Sequence, residues 1–258
     1  MNLAELTPLV WTVLAAGALV VGLSKTAVPG AGTIAVAMFA SVLPAKASTG
    51  ALLVLLIVGD MMALLAYRRH ADWRVILRMA PAVVLGLVAG WGFLALASDA
   101  WVRRGIGALL LMVIAVTLLR RWRAARSTAA ARQEDAAEAP GGGGLAAWTY
   151  GGLGGFTTMV ANAAGPVMSM YFLAAKFPVK AFLGTSAWFF ATVNLAKLPF
   201  SIGLGIITPT SLLLDLILVP LVLLGGLGGR LIAQRISQRA FEWAVVILTV
   251  LGAGYLLV

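Results

Sequence analysis

The feature that most constrains this chain is a succession of long apolar segments separated by short polar stretches. Only 11% of the 258 residues are charged, against about 25% in a typical soluble domain. A bilayer core needs about 20 apolar residues per helix. The pattern therefore predicts an all-α polytopic membrane protein with about eight to ten membrane segments. The ten candidate segments lie at residues 7–23, 27–43, 47–67, 79–97, 101–119, 146–160, 164–175, 181–200, 209–229 and 240–258.

One polar stretch divides the chain nearly in half. It starts with several arginines, continues through alanines mixed with charges, and ends in four glycines. Such a composition is typical of a flexible linker. We therefore predict a first transmembrane repeat over residues 1–119, a linker over residues 120–145 and a second transmembrane repeat over residues 146–258.

The two halves carry similar blocks in the same order, which indicates an internal duplication. GLSKTAVPGAG (22–32) aligns with GFTTMVANAAG (155–165), LPAKASTG (43–50) with FPVKAFLG (177–184), and PAVVLGLVAG (81–90) with PLVLLGGLGG (220–229). The offset of the second block places Asp60 opposite Asn194. With an odd number of segments in each half, the halves become inverted repeats, a common plan for secondary transporters.

Basic residues concentrate in alternate loops. If every segment crosses the membrane, one side collects fourteen of the nineteen Lys and Arg residues. The positive-inside rule makes that side cytoplasmic, and the linker lies on it. The same rule explains the net charge of +10. The sequence lacks the interleaved aromatic and basic residues that would indicate nucleic-acid binding.

Each half opens with a helix pair interrupted by small and polar residues. Irregular backbone at membrane depth occurs only where it is buried in protein or lines a cavity. Helix N-termini exposed at such a break attract anions through their partial positive charge and free N–H groups. We predict an anion site near the bilayer centre, where the two breaks meet. Its residues at the breaks are Ser24, Lys25, Thr26, Pro29, Gly30, Thr157, Thr158, Asn162 and Gly165.

The charged and amide residues inside apolar segments extend this site. Lys25 either supplies charge to the anion or snorkels from a tight loop to the lipid headgroups. Lys197 favours the first interpretation, because an intramembrane ionisable residue is a functional hypothesis by default. Asn194 lies three residues earlier, on the same helix face, and joins Lys197 in the predicted site. Asp60 is a candidate proton carrier or a counter-ion to either lysine, and a purely structural ion pair is an equal alternative.

Signatures of catalysis and of cofactor binding are missing from the sequence. There is no Walker A sequence, no H-E-x-x-H, no G-x-S-x-G and no cluster of metal ligands. The chain has no cysteine, so disulfides and thiolate metal sites are excluded. We predict no catalytic residue, no metal and no cofactor. Asp215, near the start of its apolar segment, is interpreted as a favourable charge at a helix N-terminus.

The two breaks, the P-x-K-A-x-x-G block in each half and NLAKLPF (194–200) resemble the sulfite exporter TauE/SafE family, also called the TSUP family. The similarity runs from about Leu14 to the C-terminus, outside the linker. It implies a bacterial or archaeal inner-membrane secondary transporter that exports sulfite, sulfoacetate, other sulfonates or small organic acids by alternating access. The implied partners are a small anionic substrate and membrane lipids, and homo-oligomerisation is left open. The rival interpretation is a non-transporting membrane subunit or scaffold of a larger complex.

Overall fold

The computed structural model describes residues 6–28, 31–126 and 144–237, together with residues 240, 243 and 247. These parts of the chain form nine α-helices and one short 3-10 helix, Arg68–His70. The all-α fold predicted from the sequence is confirmed for them. The helices are α1 (Pro8–Thr26), α2 (Gly32–Val42), α3 (Ala45–Tyr67), α4 (Trp73–Leu96), α5 (Asp99–Arg126), α6 (Gly144–Ala161), α7 (Ala164–Ala174), α8 (Val179–Gly203) and α9 (Pro209–Arg235).

Several of these helices are suited to a bilayer. Among the described residues, four stretches are long and apolar enough to cross a membrane: Pro8–Thr26, Ala45–His70, Trp73–Leu96 and Pro209–Arg235. The chain is therefore a multi-pass membrane protein. Helix α5 continues through residues 120–126, which the sequence analysis assigned to the linker. The rest of that linker up to residue 143, and most of the last apolar segment, lie outside the described residues.

The opening helix pair of each half folds back on itself. Gly17 of α1 lies beside Phe39 of α2, and Ser24 of α1 lies beside Gly32, so the two helices run antiparallel. Helices α6 and α7 form the same kind of hairpin in the second half. The returning helices α2 and α7 have 11 residues each, about 16 Å. Each covers only about half of a 30 Å hydrocarbon core, so neither returning helix is long enough to span it alone.

Each hairpin packs against a long helix of the other half through glycine. A Cβ on Gly22 of α1 would overlap the carbonyl oxygen of Val222 in α9. A Cβ on Gly155 of α6 would overlap the carbonyl oxygen of Val83 in α4 in the same way. Small residues allow such close backbone approach between membrane helices. Both glycines, and both valines, occupy positions that the sequence analysis aligned between the two halves, and the inverted duplication itself stays a prediction.

Polar contacts tie the helix ends together on each side of the bundle. The Trp188 indole donates a hydrogen bond to the Arg68 carbonyl at 3.1 Å, so the first half of α8 lies beside the basic 3-10 helix. At the other side, the Asp99 carboxylate accepts the backbone N–H groups of Ala45 at 3.2 Å and Lys46 at 2.9 Å. The first residue of α5 thus caps the start of α3, whose N-terminal N–H groups lack helical partners.

Candidate functional site

A narrow cavity lies between the two helix breaks. Its volume is about 20 Å³, close to the smallest space that holds one water molecule. Gly32 at the start of α2 and Gly165 near the start of α7 both line it. The positive ends of two half-helices, one from each half, therefore lie at the same cavity. Seven residues predicted from the sequence line it: Ser24, Lys25, Asp60, Thr158, Asn162, Gly165 and Asn194.

Lys25 is buried at this cavity and pairs with Asp60. Its Nζ lies 2.6 Å from Asp60 Oδ1, and the two side chains are 8% and 0% exposed. The same Nζ lies 4.4 Å from the centroid of the Phe190 ring, within the range of a cation–π contact. The ammonium group is thus held inside the protein, and the snorkelling interpretation does not describe this structure.

The second oxygen of the Asp60 carboxylate contacts the other half of the chain. Asn194 Nδ2 donates a hydrogen bond to Asp60 Oδ2 at 2.7 Å. The two residues are those that the sequence alignment placed opposite each other. In the structure Asp60 is the counter-ion of Lys25, which is one of the roles that the sequence analysis considered for it. Asn194 is the second partner of its carboxylate.

Lys197 lies behind the cavity wall and is enclosed by oxygen atoms. Its Nζ donates to the Thr158 carbonyl at 2.6 Å and to Asn162 Oδ1 at 2.5 Å. Thr158 Oγ1 at 3.3 Å and Asn194 Oδ1 at 3.4 Å complete the set. The side chain is 1% exposed. An ammonium group has three donors and no acceptor, so these partners satisfy it without a ligand, and Lys197 does not line the cavity as the sequence analysis expected.

Asn162 forms the second break and is held from two directions. It has φ of 52°, in the left-handed region where asparagine is enriched among non-glycine residues. Its Nδ2 donates to the Thr49 carbonyl at 2.9 Å, while its Oδ1 accepts from Lys197. The break between α6 and α7 is therefore fixed to both α3 and α8.

Two predicted donors serve helix packing instead of the cavity. Thr26 Oγ1 donates to the Gly226 carbonyl at 2.8 Å and contacts the Gly22 carbonyl at 3.2 Å. Thr157 Oγ1 donates to the Gly154 carbonyl at 3.3 Å. Neither hydroxyl group lines the cavity, because each turns back to a helix backbone. Pro29 and Gly30, also predicted for the site, lie outside the described residues.

The cavity residues that the sequence analysis did not assign to the site include Thr33, Ser186 and Phe190. The hydroxyl group of Ser186 is buried and has no hydrogen-bond partner within the described part of the chain. Ser186, Phe190 and Asn194 recur every four residues, which places them on one face of α8. This four-residue spacing is the signal in the sequence that could have identified Ser186 and Phe190. Within the described ranges, no three His, Asp or Glu side chains come together as a metal site would require.

Comparison with known proteins gives one result. The family model described as sulfite exporter TauE/SafE matches residues 14–256. This range includes both breaks and every residue that lines the cavity. No curated protein matches the chain, and no solved structure matches it either.

Proposed function

Because the chain belongs to the sulfite exporter TauE/SafE family, we propose that it is a secondary transporter of small sulfur-containing or organic anions. Sulfite, sulfoacetate and other sulfonates are the proposed substrates, and export is the proposed direction. The observation that carries this proposal is the buried Lys25 ammonium group at a cavity between two helix breaks. A buried cation beside two half-helix N-termini offsets the cost of removing an anion from water.

The proposed binding site takes its charge and its hydrogen bonds from different residues. Lys25 supplies positive charge, and Ser24, Thr158 and Asn194 supply polar groups around the same space. Ser186 adds a buried hydroxyl group that is free to donate to an anion oxygen. An anion bound there must also leave, so we expect moderate affinity.

Alternating access is the proposed mechanism. The cavity has a volume of about 20 Å³, so an anion as large as sulfite enters only after the surrounding helices move apart. The two hairpins come from different halves of the chain and reach the cavity from their own ends of the bundle. Rocking of one half against the other would open the cavity to each side in turn, as in other transporters with inverted repeats.

The proposed location is the inner membrane of a bacterium or archaeon, with residues 120–145 in the cytoplasm. The concentration of Lys and Arg on one side supports this orientation. No part of the proposal requires catalysis, and the family is one of transporters.

Counterflow of labelled sulfite into liposomes that contain the purified protein tests the function. We expect uptake that depends on the protein and is abolished or greatly weakened by Lys25→Ala. Lys180→Ala is the matched control, because Lys180 is an exposed lysine at the start of α8 and should transport normally. Normal transport by Lys25→Ala would contradict the central site. Silence across a broad panel of anions, with a stable partner that co-purifies, would instead support a non-transporting subunit.

A further inference from the structure

The charges buried around the cavity do not cancel. Lys25 and Asp60 line the cavity, and Lys197 lies directly behind it. Lys25 from α1 contacts Asp60 directly, and Lys197 from α8 is linked to it through the side chain of Asn194, which contacts both. With all three side chains ionised, the site carries one net positive charge.

The hydrogen-bond pattern fits these ionisation states. Donors contact both oxygens of the Asp60 carboxylate, Lys25 on one side and Asn194 on the other, as an ionised carboxylate requires. Only oxygen atoms surround Lys197 Nζ, as an ammonium group requires.

The two asparagine amides that face Lys197 are oriented by their other bonds. Asn194 Nδ2 donates to Asp60 and Asn162 Nδ2 donates to the Thr49 carbonyl. Both amide oxygens are thereby turned toward the Lys197 ammonium group.

We propose that Asp60 sets the charge of the anion that this site accepts, and that the site selects singly charged anions. The inference rests on the proposed function, because it concerns the same cavity. A singly charged anion brings the buried charge to zero, whereas a doubly charged anion leaves an uncompensated negative charge away from water, which is costly. Among the proposed substrates, hydrogen sulfite and sulfonates of single charge are therefore favoured, and the sulfite dianion and sulfoacetate should bind more weakly.

Two tetrahedral sulfur oxyanions of fixed charge test this selection. Methanesulfonate carries one negative charge and sulfate carries two throughout the neutral pH range. Binding of each to the purified protein is measured by calorimetry or thermal shift at constant ionic strength, because salt screens charge. We expect the wild-type protein to prefer methanesulfonate by about tenfold or more, given the strength of a unit charge at contact distance.

Removing the Asp60 charge should reverse the preference. Asp60→Asn leaves two positive charges, so the affinity ratio should move toward sulfate by about tenfold or more. Asp215→Asn is the control for the substitution itself, because Asp215 is a second buried acidic side chain in a membrane helix and does not line the cavity. That variant should keep the wild-type ratio.

If Asp60→Asn fails to fold, the pH dependence of sulfite binding to the wild-type protein tests the charge selection instead. Sulfite changes between one and two negative charges near neutral pH, so its binding should strengthen as the pH falls through that transition, while methanesulfonate binding stays constant. Equal affinity for sulfate and methanesulfonate, or a wild-type ratio in Asp60→Asn, would overturn charge selection and leave transport standing. Absence of both anion binding and sulfite counterflow in the wild-type protein would overturn the proposed function and this inference together.

Discussion

The phenol group of Tyr67 donates a hydrogen bond of 2.9 Å to the carbonyl oxygen of Thr26, the last residue of α1. Carbonyl groups at a helix C-terminus have no partner within the helix, and this one lies next to Lys25. A side chain from α3 thus holds the end of the first break, as Lys197 from α8 holds the second. Each break is fixed by the helix that follows its own hairpin.

Tyr67→Phe should therefore lower the stability of the protein. The ring stays, and only the hydroxyl group is lost, which leaves a buried carbonyl oxygen without its donor. We expect a loss of about 1–3 kcal/mol, measured as a lower midpoint of thermal unfolding in detergent. Tyr171→Phe is the control, because the Tyr171 hydroxyl group is buried and has no hydrogen-bond partner among the described residues. That variant should be as stable as the wild-type protein or slightly more stable.

Lys197→Met should destabilise the second break. The substitution keeps a long side chain but removes the donor on which the Thr158 carbonyl and the Asn162 side-chain oxygen depend. Several buried oxygens then lose their partner, and we expect a loss of roughly 2–4 kcal/mol. Thermal unfolding in detergent measures it, with the exposed Lys180→Met as control. Unchanged stability in Lys197→Met would show that the cage of oxygens does not hold the break.

Much of the site was predictable because its signals are local. Glycine, proline and polar residues interrupt apolar runs at aligned places, so the breaks could be found without a structure. Lys25, Asp60 and Asn194 stood out because charges and amides are costly within a membrane. The alignment of the two halves even placed Asp60 opposite Asn194.

The remaining features depend on which helices meet, and spacing along the chain does not determine that. Thr26 stands next to Lys25 in sequence, yet its hydroxyl group reaches α9, because successive residues of a helix point about 100° apart. Lys197 shares a helix face with Asn194, but Asn162 and Thr158 from α6 and the second break enclose it. The sequence alone also did not give the length of the returning helix of the first hairpin: the predicted apolar segment covers residues 27–43, whereas α2 has only 11 residues.

The glycine contacts between halves give a separate prediction. Gly22→Ala and Gly155→Ala each place a methyl group on the backbone of a neighbouring helix, which cannot retreat as a flexible side chain could. We expect overpacking to cost about 1–3 kcal/mol in each variant. Gly92→Ala is the matched control, since a Cβ on that glycine of α4 meets no atom within 4 Å. Thermal unfolding should place the first two variants below the wild-type protein and leave Gly92→Ala close to it.

The orientation of the bundle can be tested with single cysteines, because the chain has none of its own. His70 and Ser98 are exposed and lie at opposite ends of α4. The excess of basic residues predicts the His70 end in the cytoplasm and the Ser98 end outside. In intact cells, a thiol reagent that does not cross the membrane should label Ser98→Cys and spare His70→Cys, which becomes reactive only after lysis. A cysteine or epitope within residues 130–140 should behave like His70→Cys. Labelling of that region from outside would reverse the orientation and would remove the basis for placing the linker in the cytoplasm.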